Sequence, residues 1–195
     1  MPSPSKSDRA IQHFVSAEQW HDWLVEHAES ATPIWLKISK KQTTHPSVTY
    51  QEALDVALCH GWIDGQKDKL DQIFWLQRFS PRTKKSPWSQ INREKCQKLI
   101  EAGMMQARGS AKITAAQKDG RWDKAYAAGK NMQVPEDFIA ALREHPQAEV
   151  AFKALNRQNL FSIAYRLQEP KKPETREKRL RAFIEMLARG EKPHS

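Results

Sequence analysis

The sequence predicts an α+β protein, with a small mixed β-sheet and packed helices in its N-terminal part and an all-helical C-terminal part. Three observations carry this. β-rich runs alternate with helical periodicity as far as residue 80. A break rich in proline, serine and lysine follows at 80–87. Beyond it, every apolar segment recurs at helical spacing.

In order along the chain, residues 11–15 form a short strand candidate. Ser16 then caps a helix whose apolar side, Trp20, Trp23 and Leu24 with His27 at its edge, repeats every three to four positions. Ile34-Trp35-Leu36-Lys37-Ile38 is a buried strand opened by Thr32-Pro33. Thr49 with Glu52 is a capping box for a helix through Leu54, Ala57 and Leu58, which Gly61 ends. Residues 62–65 and 73–79 supply two more strands. The resulting order β-α-β-α-β-β suits a small mixed sheet under helices.

After Pro81, Ser86-Pro87 reads as a cap with proline in the first turn, launching a helix to about Ala102. Further helices are predicted at 110–118, from Pro135 to about Glu144, from Pro146 to about Leu155, across 160–167, and from Pro173 along the stripe Leu180, Phe183, Ile184 and Leu187. The expected organisation is a flexible tail at 1–9, an α/β part at 10–80 and a helical part at 81–195, the last two forming one compact unit.

Composition narrows the classes. With 39% hydrophobic residues and seven tryptophans among 195 residues, general disorder is excluded. No run approaches the roughly 18 apolar residues of a membrane-spanning helix. The start of the chain offers no apolar stretch for a secretion signal, and Cys59 and Cys96 build neither a disulfide framework nor a zinc spacing. A cytoplasmic location is expected. The net charge of +9 is uneven: residues 66–98 hold nine Lys and Arg against three Asp and Glu, and residues 153–195 hold eleven against five. Such basic blocks favour an anionic partner, or serve as solvated faces.

Three places break the local pattern, and such positions are where function can sit. Trp62 and Asp64 lie between Gly61 and Gly65, and a carboxylate at a strand end suits a base, a ligand contact or a tight turn. In the segment 78–89, Arg78, Arg82 and Trp88 with Ser89 interleave cations and aromatics before a helix start, as a phosphate- or base-bearing partner requires. In the following helix Asn92 falls within the apolar face of Trp88, Ile91, Cys96 and Leu99, with Arg93 beside it. Arg176 extends the stripe of the last helix, and Asp64 is a possible acid partner for it.

Other chemistry is absent from the sequence. Cys59 and adjacent His60 diverge by about 100° on a helix, His21 and His27 lack metal spacing, and no phosphate-binding glycine loop, serine elbow or zinc signature occurs. No cofactor and no metal are expected.

The ordered motifs Cys59-His60-Gly61-Trp62-Ile63-Asp64-Gly65, Trp75-Leu76-Gln77-Arg78-Phe79-Ser80-Pro81-Arg82 and Ser86-Pro87-Trp88-Ser89-Gln90-Ile91-Asn92-Arg93 resemble the YdeI/OmpD-associated family. So do Asn159-Leu160-Phe161-Ser162-Ile163, Lys172-Pro173-Glu174-Thr175-Arg176 and Leu187-Ala188-Arg189-Gly190-Glu191-Lys192. The resemblance spans residues 10–194. It implies a role in bacteriocin protection or stress response, and it brings no catalytic residues with it.

The function expected is that of a non-catalytic cytosolic protein binding an anionic small molecule or a partner protein, with a pocket that accepts the anion. Its ligand contacts are expected at Trp62, Asp64, Arg78, Arg82, Trp88, Ser89, Asn92, Arg93 and Arg176. The alternatives are an enzyme acting on a small anionic substrate, with Asp64 as the base, and a nucleic-acid-binding protein using both basic blocks. All require these groups to converge.

Overall fold

The computed structural model describes residues 10–29, 32–127, 133–170 and 172–194; the tail expected at 1–9 lies outside them. The chain divides into two compact units, residues 1–125 and 126–195.

In the first unit the element order is the one predicted: β1 (Ile11–Gln12), α1 (Ala17–His27), β2 (Ile34–Ser39), α2 (Tyr50–Cys59), β3 (Trp62–Lys69) and β4 (Phe74–Pro81). The sheet order is β1-β2-β4-β3. β1 runs parallel to β2, while β2–β4 and β3–β4 are antiparallel, so the sheet is mixed. Ser16 caps α1 by accepting from the Gln19 N–H. Thr49 and Glu52 form the complete capping box of α2.

Strand alternation sorts the sheet into two faces. Ile34, Leu36, Ile38 and Phe79 join Trp20, Leu24, Leu54 and Leu58 of the helices in one core. On the opposite face Phe74 lies beneath the Lys37 ammonium, 4.0 Å from the ring centre, between the edges of His13 and His45.

Helices α3 (Gln90–Glu101) and α4 (Ala107–Lys118) belong to the same unit as the sheet. Cys96, Leu99, Ile113 and Ala116 extend its core. α3 does not begin at Ser86-Pro87. Pro87 is held by its carbonyl, Trp88 is buried, and Ser89 is the cap, its Oγ accepting from the Asn92 N–H at 3.2 Å. With Trp88 outside the helix, the apolar face turns toward Cys96 and Leu99. Ile91 is therefore 44% exposed and Asn92 only partly buried.

The second unit is all helical: α5 (Glu136–Leu142), α6 (Pro146–Lys153), α7 (Arg157–Gln168) and α8 (Pro173–Ala188). Its core gathers Phe138, Leu142, Leu155, Ile163 and Leu167 around Phe183, Ile184 and Leu187, the stripe expected of α8. Among the described residues no helix is long and apolar enough to cross a membrane.

Candidate functional site

The segment Cys59-His60-Gly61 is first a packing crossing. Gly61 adopts φ +74°, and a Cβ there would meet Lys112 Cγ at 2.8 Å and the Arg108 carbonyl oxygen at 3.0 Å. The Cys59 carbonyl accepts from the Gln106 N–H, and the Gly61 carbonyl from the Arg82 N–H. The end of α2 is thereby tied to the start of α4 and to the strand leading into the basic loop. Both thiols are buried. Burial pushes Cys59 up to about 11 and Cys96 up to about 12, with the Arg82 charge pulling Cys96 the other way.

Trp62 is 1% exposed and belongs to the core. Its ring meets Trp20 and Trp23 edge-on, and its Nε1 donates to the Ala28 carbonyl at 3.3 Å. Asp64 points to the same side of the sheet as Phe79, its cross-strand partner, and accepts from the Tyr50 hydroxyl at 2.8 Å. Burial, then the Asp64 charge and hydrogen bond, raise the Tyr50 phenol far above its usual range. Arg78 follows the opposite face of β4, beside Gly65. The sheet therefore lies between Asp64 and Arg78. Gln77, which nothing in the sequence singled out, spans the bulge between them, donating to the Gly65 and Gln66 carbonyls.

Arg82, Trp88, Ser89, Asn92 and Arg93 do come together. The Arg82 guanidinium is 3% exposed, stacks 3.6 Å from the Trp88 ring centre, and donates to the Pro87 carbonyl at 3.0 Å. Trp88 meets Trp122 edge-on at 4.8 Å, and Arg93 lies over Trp122 at 5.4 Å. Arg121, held by Asp119, donates to the Ser86 carbonyl at 2.9 Å. The loop also braces itself: Thr83 N–H donates to Ser86 Oγ and Ser86 N–H to the Thr83 carbonyl. At its tip Lys84 and Lys85 are exposed. Alternating cations and indoles thus hold a basic turn in one shape. Trp122 and Arg121 were legible only as a turn after Asp119-Gly120; their return to residues 83–88 has no local signature.

Arg176 lies in the second unit, and Asp137 of α5, not Asp64, is its partner, in a two-pronged contact at 2.5 and 2.8 Å. That contact holds the Asp137 carboxyl below its ordinary value. Among the described residues no group of three or more His, Cys, Asp or Glu side chains could hold a metal ion.

Two family models match the chain. Residues 12–112 match a domain of unknown function (DUF8412), and residues 131–190 match the family described as bacteriocin-protection, YdeI or OmpD-associated. The motifs at 59–93 fall within the first match and those at 159–163 and 172–176 within the second, which ends inside the motif at 187–192. No curated protein and no solved structure gives a significant match. The chain belongs to the DUF8412 domain family through residues 12–112, and its residues 131–190 are similar to the bacteriocin-protection, YdeI or OmpD-associated family.

Proposed function

We propose that the protein is a non-catalytic binding protein of the bacteriocin-protection type, working in the cytoplasm and accepting an anionic group on the basic turn of residues 82–89. The group is a carboxylate or phosphate carried by a small molecule or by an acidic segment of a partner protein. The observation that supports this reading is the framed turn itself. Arg82 and Arg121 donate to carbonyls of the turn, so the backbone that carries the exposed Lys84 and Lys85 is held in shape before any ligand arrives. Ordering it beforehand lowers the entropy lost on binding. Arg93, over Trp122, adds a third cation at the edge. The bacteriocin-protection role rests on the family match of the second unit.

Thermal denaturation of the full chain tests this, followed by tryptophan fluorescence. All seven tryptophans, from Trp20 to Trp122, lie in the first unit, so the signal reports on the unit carrying the turn. Inorganic phosphate or an acidic peptide is expected to raise its melting temperature, and Lys84→Ala/Lys85→Ala/Arg93→Ala is expected to abolish the rise. An equal rise in the wild type and the triple variant would dismiss the turn as the site. A response confined to single-stranded oligonucleotide would replace this reading with the nucleic-acid one.

A further inference from the structure

Outside this site one pair of side chains is unexplained by packing. His60, the C-terminal cap of α2, is 4% exposed, and its Nε2 lies 3.1 Å from Nδ1 of His21 on α1. The rings meet edge-on, 4.8 Å between centres. The buried Nδ1 of His60 has no hydrogen-bond partner among the described residues.

These facts assign the proton. One of the two facing nitrogens carries the hydrogen. If it were His21 Nδ1, His60 would carry its own hydrogen on Nδ1, a buried N–H without an acceptor, which is costly. The pair therefore has His60 Nε2–H donating to His21 Nδ1, with His60 Nδ1 bare. A further proton on His60 Nδ1 makes a buried imidazolium with no acceptor among the described residues. The surrounding groups do not help. Arg108 of α4, paired with Glu29 and donating to the Leu24 and Val25 carbonyls, acts on His60 as a positive charge, and Lys112 packs beside Gly61. Asp55 acts instead on the two thiols and pairs with Lys95. The same two cations argue against a metal ion between the imidazoles, which no third ligand joins among the described residues.

We infer that the neutral His21–His60 pair is an acid-sensitive latch between α1 and the end of α2: a proton taken up by His60 favours the unfolded chain. Burial, then His21 and Arg108, hold His60 down to about 4 from the ordinary imidazole value of 6.5. The sign follows from linkage. A lowered value means the unfolded chain binds the proton more readily, so the contribution is complete above about 6.5 and is lost as pH falls toward 4. Between pH 7.5 and pH 5 the folding equilibrium constant is expected to drop about 30-fold.

The test uses the full chain, with denaturant unfolding read by tryptophan fluorescence at pH 7.5, 6 and 5, and compares the wild type with His60→Gln because the two share every carboxylate. The wild type is expected to lose about 30-fold, and His60→Gln, whose amide N–H still reaches His21, less than about threefold. Ring ¹⁵N chemical shifts of the wild type give a readout independent of any change that His60→Gln makes to packing. They are expected to show His60 as the Nε2–H tautomer, still neutral at pH 5. A His60 that carries hydrogen on Nδ1, one that protonates near pH 6.5, or a wild-type folding constant that is flat over this range would each overturn the latch.

Discussion

Gly109 of α4 lies directly against the backbone carbonyl of Cys59 at the end of α2, so close that a Cβ at position 109 would stand 2.2 Å from that oxygen. The obstacle is backbone, which cannot swing aside as a side chain would. Overpacking a core ordinarily costs about 1–3 kcal/mol, and a backbone clash belongs at the upper end. Gly109→Ala is expected to lower unfolding free energy by about 3 kcal/mol, measured from the denaturant midpoint by tryptophan fluorescence. A loss below 1 kcal/mol would mean that the crossing is looser than described.

The thiols of Cys59 and Cys96 are expected to be silent in the native protein. Both are buried and held well above the ordinary thiol range, so little thiolate exists at neutral pH. An aromatic disulfide reagent at pH 8 is expected to label both only after denaturation. Rapid labelling of either in native buffer would contradict that burial.

Tyr50→Phe removes the hydroxyl that Asp64 accepts. A hydrogen bond to a charged group contributes about 1.5–3 kcal/mol, and partial exposure of Asp64 places this one near the lower figure. Urea unfolding is expected to show a loss of about 1.5 kcal/mol, without weaker phosphate or acidic-peptide binding. A selective loss of binding would make Asp64 a ligand contact.

Arg82 separates framework from contact. Replacing it with Met keeps the apolar stem but removes the donor to Pro87 and the stack on Trp88. About 2 kcal/mol of stability is expected to go, by chemical denaturation, whereas Lys84→Ala/Lys85→Ala is expected to stay within about 0.5 kcal/mol of the wild type. If the two variants behave alike, the turn is not framed by its buried arginine.

Much of the fold was legible because its boundaries are local. Ser16, the Thr49/Glu52 box and Gly61 act through hydrogen bonds or dihedrals within one turn of chain, so their residue types suffice. Ser86-Pro87 has equally good local chemistry for a helix start. It was displaced by a contact no local pattern encodes, the Arg82 grip on the Pro87 carbonyl, which leaves Ser89 as the cap. The site divides the same way. Arg82, Trp88, Ser89, Asn92 and Arg93 are close in sequence and meet in space. Asp64 and Arg78 were separated by strand alternation, since Asp64 pairs with Phe79 and Arg78 follows the other face of β4. The Arg176–Asp137 and His21–His60 pairs, each 39 residues apart in sequence, depend on tertiary packing alone.

The proposed function requires the exposed cations of residues 82–89 to receive an anion while the buried ones hold the turn. Calorimetric titration of an acidic peptide into the wild type and into Lys84→Ala/Lys85→Ala/Arg93→Ala, at low and high salt, measures this directly. Saturable binding by the wild type that weakens with salt, and its loss in a triple variant that stays folded at the titration temperature, is the expected result. Undiminished binding by the triple variant would contradict it.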